Sequence, residues 1–154
     1  MKHYYLDPSA WSKRYITETG SELVNTLWEE IRASEASAYC HWLGFTEVIS
    51  VLLRRRNAGQ VPIQQYAPMQ IQFEKDCEFI NWLEIDWELV QLSSDFVLKY
   101  NLNATDALHL QCAIEAYDRV GSPIIVVSSD RRLLRAAAAE NLSTLNPEAP
   151  SESV

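Results

Sequence analysis

Four carboxylates stand out by type and place: Asp7, Glu47, Asp106 and Asp130. Asp106 is the most unusual. It lies in Ala104-Thr105-Asp106-Ala107-Leu108-His109-Leu110 and, on a 3.6-residue period, shares a helix face with Leu110, Ala113, Ile114 and Tyr117. A carboxylate on the apolar side of a helix is costly unless a helix N-terminus, a hydrogen bond or a cation compensates it. Gathered carboxylates repel one another, and at neutral pH they are stable together only with cations or raised pKa values. An oxygen-rich cluster without imidazole or thiolate suits Mg²⁺ or Mn²⁺. Such ions promote phosphodiester hydrolysis by activating water, neutralising non-bridging oxygens and stabilising the leaving oxygen. Each acid also has a plainer reading. Asp7, Asp106 and Asp130 could cap or start helices, and Glu47 could be an exposed helix carboxylate. The inward face of Asp106 is what capping leaves unexplained.

The elements that would position these acids follow from periodicity and punctuation. His3-Tyr4-Tyr5-Leu6 is a β-prone run that Asp7-Pro8 ends, and Pro8 suits the first position of a helix through Trp11 and Tyr15. Ser21 opens a helix carrying Leu23, Val24, Leu27, Trp28 and Ile31, and residues 37–40 are a weak second strand. Residues 43–56 read as a helix with Phe45, Val48, Ile49, Leu52 and Leu53 inward, and Glu47 beside Leu43, Ser50 and Arg54. Residues 64–83 read as one long helix kinked near Pro68, with more apolar surface than one core needs. Residues 89–92 are expected as a strand, followed by a short helix to Tyr100 and the Asp106 helix to about Tyr117. Ile124-Ile125-Val126-Val127 has the continuous β-branched character of a central parallel strand. Ser128-Ser129-Asp130 ends it, a helix runs from Arg131 to Glu140, and residues 142–145 are expected as an edge strand. The alternation predicts an α/β class: a three-layer fold with a parallel sheet and helices on both faces. In such sheets ligands bind outside the carboxyl ends of the strands, where Asp7 and Asp130 both fall.

Composition sets the outer bounds. The chain has 154 residues, 47% hydrophobic, enough for one domain core. The expected organisation is a domain over 1–147 and a flexible tail over 148–154. A formal charge of −8 does not advertise a nucleic-acid footprint, so any polyanion must be met by local cations. Cys40, Cys77 and Cys112 form no zinc or disulfide pattern, which fits a cytoplasmic location. No run is apolar enough to suggest a membrane span. No glycine-rich phosphate loop is present. His3, His41 and His109 show no metal-ligand spacing, and His109 reads as a packing or hydrogen-bonding residue.

The pieces Tyr5-Leu6-Asp7-Pro8-Ser9-Ala10, Thr46-Glu47-Val48, residues 104–110 and Val126-Val127-Ser128-Ser129-Asp130-Arg131-Arg132-Leu133 together resemble the PIN-domain nucleases. More narrowly they resemble the VapC-type toxins of toxin–antitoxin pairs, from about residue 3 to 147. The resemblance implies a PIN-like α/β/α domain whose acidic pocket holds Mg²⁺ or Mn²⁺. By position, Asp7, Glu47 and Asp106 would be the principal metal-holding set and Asp130 a fourth acid. Ser9 and Thr105 match supporting hydroxyls. It also implies an RNA substrate, a cognate antitoxin and a homodimer. Asn141 stands where glycine often ends the last helix of the family.

RNA phosphates approaching an acidic pocket need a basic rim. Lys13, Arg14, Arg54, Arg131 and Arg132 are the candidates, since they flank three of the four acids. The expected function is a metal-dependent endoribonuclease toxin. Its alternatives are a PIN nuclease of RNA processing without an antitoxin, and a non-catalytic interaction module in which the acids are caps. Aspartyl-phosphate chemistry at Asp7 is disfavoured, because the second acid it wants two residues later is Ser9.

Overall fold

The structure, a computed structural model, describes residues Met1–Ser153. Strands β1 (Lys2–Leu6), β2 (Ala36–His41), β3 (Ile80–Leu83), β4 (Ile124–Val127) and β5 (Ser143–Leu145) make one sheet in the order β3-β2-β1-β4-β5. Every pairing in it is parallel. Parallel neighbours need crossovers, and helices supply them on both faces. Helices α1 (Pro8–Trp11), α2 (Ser21–Arg32), α3 (Leu43–Asn57) and α4 (Ile63–Asp76) contribute to one core. Helices α5 (Trp87–Tyr100), α6 (Ala104–Val120) and α7 (Arg131–Ala139) contribute to the other.

Strand alternation sorts the side chains between these cores. On β1, Tyr4 and Leu6 face the first core, where Trp11, Trp28 and Phe73 gather. Tyr5 faces the second, against the small residues Ala107, Ala113 and Ala116 of α6. On β4, Ile125 and Val127 go to the first core and Ile124 and Val126 to the second.

The expected three layers are present, but three expectations are corrected. The helix expected over 64–83 ends at Asp76. A 3-10 turn at Cys77–Phe79 follows, and residues 80–83 pair with β2 as an edge strand. A four-residue apolar strand carries too little pattern to be told from the end of a helix. Residues 89–92 are helical, not a strand. The Asp86 carboxylate caps α5 by accepting from the Leu89 amide, and the helix continues to Tyr100 before Asn101 takes a left-handed conformation. The middle of the sheet is β1 rather than β4, which lies beside it.

Asn141 adopts φ +63°, the left-handed conformation that asparagine tolerates better than most residues. Beyond residue 147, Glu148 pairs with Lys13 at 2.6 Å and Pro150–Glu152 forms a 3-10 turn. The final residue of the expected tail, Val154, lies outside the described residues.

Candidate active site

The strand order reverses beside β1. From β1 the chain proceeds outward to β2 and β3, and from β4 it proceeds outward to β5. Such a switch point opens a crevice at the carboxyl ends of the strands. Asp7 directly follows β1, and Asp130 follows β4 by three residues. Glu47 arrives on the first turns of α3, which follows β2, and Asp106 on the first turn of α6. All four acids line one open cleft of about 540 Å³. Ser9 and Thr105, the two expected supporting hydroxyls, line it too, as does Arg54.

Capping and clustering prove compatible. Asp7 caps α1, accepting from the Ser9 amide through Oδ2, and the Ser9 hydroxyl also donates to that oxygen. Ser128 Oγ donates to the same oxygen at 2.9 Å and accepts from the Asp130 amide at 2.9 Å. The Ser129 amide donates to Ser9 Oγ at 3.0 Å. Buried Ser128 therefore ties the ends of β1 and β4 together, a role its sequence position did not announce. Asp130 caps α7 through Oδ1, which accepts from the Arg132 and Leu133 amides at 2.8 and 3.1 Å. At α6 the cap is Asn103, which accepts from the Asp106 amide and donates to Asp106 Oδ2, both at 2.8 Å. Three acids are thus fixed locally by helix starts while sharing one cleft.

The electrostatics carry the strain of that gathering. Burial, then the charges of Asp130 and Asp7, push the Asp106 carboxyl up to about 6. The expectation of a pocket without imidazole is corrected here. His109 follows Asp106 on α6 by three residues and is fully buried, with Nε2 3.1 Å from Glu47 Oε2 and 3.6 Å from Asp7 Oδ1. Burial opposes its charged form, but the Glu47 hydrogen bond and the Asp7, Glu47 and Asp106 charges outweigh burial and raise its pKa. His41, at the end of β2, stacks on His109 with ring centroids 4.0 Å apart. Burial, then the neighbouring His109, lower His41 to about 3. His109 and Glu47 are 62 positions apart, so spacing along the chain carried no sign of this contact.

The expected rim is only partly present. Lys13 and Arg14 do not serve it. After one turn of α1 the chain tightens into a 3-10 turn at Ser12–Arg14, where the sequence suggested a longer helix. Lys13 is 3% exposed and pairs with Glu18 and Glu148. Arg14 bonds Asp76 at 2.7 Å and lies over the Trp28 ring. Arg54 remains at the cleft. Arg131 and Arg132 are exposed beside Asp130, Arg131 pairing with Glu152 and Arg132 reaching the Asn101 carbonyl.

The donor set fits a divalent cation. Glu47 Oε1 and both ring nitrogens of His41 are buried without a hydrogen-bond partner among the described residues. Such orphaned polar atoms are costly unless something satisfies them. One nitrogen or oxygen each from His41, Glu47 and His109 lie within 4.8 Å of one another. Asp7, Asp106 and Asp130 line the same cleft as Glu47.

Two curated relatives, Ribonuclease VapC45 and Ribonuclease VapC49 from two strains of Mycobacterium tuberculosis, are each 29% identical over 130 residues. Those residues cover 84% of this chain and 85% of each relative. Among solved structures, PAE2754 from Pyrobaculum aerophilum superposes with a TM-score of 0.64 at 18% identity, covering 96% of this chain and 85% of that one. FitAB, solved bound to an IR36 DNA fragment, superposes with a TM-score of 0.61 at 13% identity, covering 94% and 95%. The family model of the PIN domain matches residues 4–139, and the chain belongs to that family.

Proposed function

We propose that this chain is a divalent-metal-dependent endoribonuclease, the toxin of a toxin–antitoxin pair. The observation that carries the reading is the convergence of Asp7, Glu47, Asp106 and Asp130 on one cleft, with the Asp106 carboxyl raised by burial and then by its acidic neighbours. The two curated relatives carry the name ribonuclease and the VapC designation, which supports RNA as substrate and an antitoxin as partner.

A bound Mg²⁺ or Mn²⁺ would supply Lewis acidity at the scissile phosphate and an activated water. The chain's own groups do the rest. Ser9 and Ser128 fasten Asp7 Oδ2, so the carboxylate cannot rotate and its Oδ1 is the oxygen turned toward His109. Asn103 fixes Asp106, and the amides of α7 fix Asp130. A site with preset ligands avoids reorganisation during reaction. Arg54 at the cleft wall would hold a flanking phosphate, and the exposed Arg131 and Arg132, next to Asp130 in the chain, are further candidates for that role.

Large apolar side chains are exposed on α3, α4 and α5, including Leu43, Ile63, Trp87 and Leu98. Such residues support an antitoxin or a second copy as partner. The free cysteines Cys40, Cys77 and Cys112 support a reducing cytoplasm. No helix among the described residues is long and apolar enough to cross a membrane.

The test is cleavage of RNA by purified protein with Mg²⁺ or Mn²⁺ against EDTA, comparing wild type with Asp7→Asn and Asp106→Asn. Cleavage should require the metal and fall to background in both variants. Metal-independent cleavage, or full activity in both variants, would overturn the enzymatic reading. For the toxin reading, expression alone should arrest growth and co-expression of the neighbouring gene should restore it. Equal growth in both cases would count against regulation by an antitoxin.

A further inference from the structure

Behind the carboxylates of the cleft lies a buried imidazole, His109, within reach of Glu47 and Asp7. Resting on the proposed metal-dependent reading, we infer that His109 is a direct ligand of the active-site cation through Nε2, alongside Asp7 and Glu47, and that this nitrogen makes the site prefer Mn²⁺ to Mg²⁺.

Placement comes first. His109 lies one turn beyond Asp106 on the same side of α6, so the helix that presents the acid presents the imidazole too. Its Nε2 is 3.1 Å from Glu47 Oε2 and 3.6 Å from Asp7 Oδ1. Ligands bound to one first-row divalent ion at about 2.0–2.2 Å stand roughly 3 Å or slightly more apart. The two carboxylate oxygens stand at 3.1 and 3.6 Å from Nε2, close to that spacing.

The far side of the ring is arranged to match. His109 Nδ1 is 3.0 Å from the hydroxyl of buried Tyr5. With Nδ1–H donating to that oxygen, the Nε2 lone pair is directed at the carboxylates. A metal-bound histidine is commonly held by such a partner on its other nitrogen. His41 covers one face of the His109 ring, with 30° between their planes. Rings so nearly parallel do not aim their nitrogens at one point, so the two imidazoles have different tasks. His109 ligates, and His41 holds its ring plane. His41 Nε2 also sits 3.8 Å from Glu47 Oε1, and neither atom has a hydrogen-bond partner. An ion carrying water at this corner would satisfy both.

The chemical consequence follows from donor type. Mg²⁺ takes oxygen and gives up its waters reluctantly. Imidazole nitrogen favours the first-row transition ions over it. An imidazole among the carboxylates therefore tilts the pocket toward Mn²⁺, which still accepts the oxygen ligands.

Electron spin-echo spectroscopy of Mn²⁺ bound to the whole chain tests this without RNA. The wild type should show ¹⁴N modulation from a coordinated imidazole, replaced by the ¹⁵N pattern when the protein is made with ¹⁵N-histidine. That comparison needs no substitution in the core. His109→Gln should remove the modulation and weaken Mn²⁺ binding by about tenfold or more, with a smaller effect on Mg²⁺. His41→Phe, which keeps a ring on the stack, should retain the modulation. Mn²⁺ that binds in an Asp7-dependent way without nitrogen modulation would overturn the inference and leave the metal-dependent reading standing. Modulation that survives His109→Gln would overturn the assignment to His109. Absence of Mn²⁺ binding, or binding indifferent to Asp7→Asn, would overturn the pocket and the inference together.

Discussion

At Asp106, burial and then the charges of Asp130 and Asp7 raise the carboxyl to about 6. An unfolded aspartate titrates near 3.9. The folded protein therefore binds this proton more tightly, and the contribution of Asp106 to stability is present below the unfolded value and lost as pH rises through about 6. A cation reverses the balance, because it binds the ionised form. Without metal, the melting temperature of the wild type should fall between pH 5 and pH 7.5 relative to that of Asp106→Asn. The rise in melting temperature on adding Mn²⁺ should be larger at pH 7.5 than at pH 5, and should largely vanish in the variant. Scanning calorimetry at both pH values reads all of these. A metal-free wild type that keeps pace with Asp106→Asn across this range would show that the carboxylate is not strained by its neighbours. The oddity of Asp106 was legible in its sequence, since helical periodicity alone placed it inward. Its partner His109 was not, because a buried histidine on an apolar face looks the same whether or not a carboxylate waits opposite.

Helix α3 brings Glu47 to the cleft, and its first turn lies hard against β2. A Cβ added at Gly44 would meet Cys40 Sγ at 2.2 Å, although the glycine has an ordinary helical backbone. This glycine serves close approach rather than conformational freedom. Gly44→Ala should cost about 1–3 kcal/mol, the usual range for overpacking, and should shift Glu47 away from His109. Cys40→Ala in the same chain removes the obstructing sulfur and should recover most of the loss. Denaturant unfolding of the single and double variants checks the coupling, and additive effects would show that the sulfur is not the obstacle. Elements of this kind were legible where their period was long. Residues 43–56 were expected as a helix and form one with a single further residue. They were illegible where the chain changes state inside an apolar run. In 77–83 a 3-10 turn and a four-residue strand follow a helix without a glycine or proline to mark the change. In 89–92 apolar residues suggested a strand, and the deciding signal was Asp86, three residues ahead, which caps α5.

Across the whole molecule, a net charge of −8 surrounds a cleft meant for a polyanion. Position in the sequence suggested five basic rim residues, and folding sets two of them aside. Lys13 and Arg14 follow Asp7 closely, yet the 3-10 turn after α1 directs them to Glu18, Glu148 and Asp76. That divergence needs partners from distant parts of the chain, which local spacing cannot reveal. The four acids were legible as a set for the opposite reason: strand ends and helix starts are local features, and a parallel sheet brings its strand ends to one edge. Arg54 lines the cleft, and the exposed Arg131 and Arg132 directly follow Asp130 in the chain. Each phosphate neutralised on a single strand contributes about −0.7 to the slope of log affinity against log salt. Three contacts predict a slope of about −2. Arg54→Gln should flatten it by about 0.7, while Lys13→Gln should weaken the fold and leave the slope unchanged. Fluorescence anisotropy of a labelled RNA strand, titrated with the inactive Asp106→Asn protein over a series of KCl concentrations, measures this directly. A slope far steeper than −2 would mean that RNA lies along a basic surface other than this rim. A slope lowered by Lys13→Gln would return that residue to the interface from which its ion pairs with Glu18 and Glu148 withdraw it.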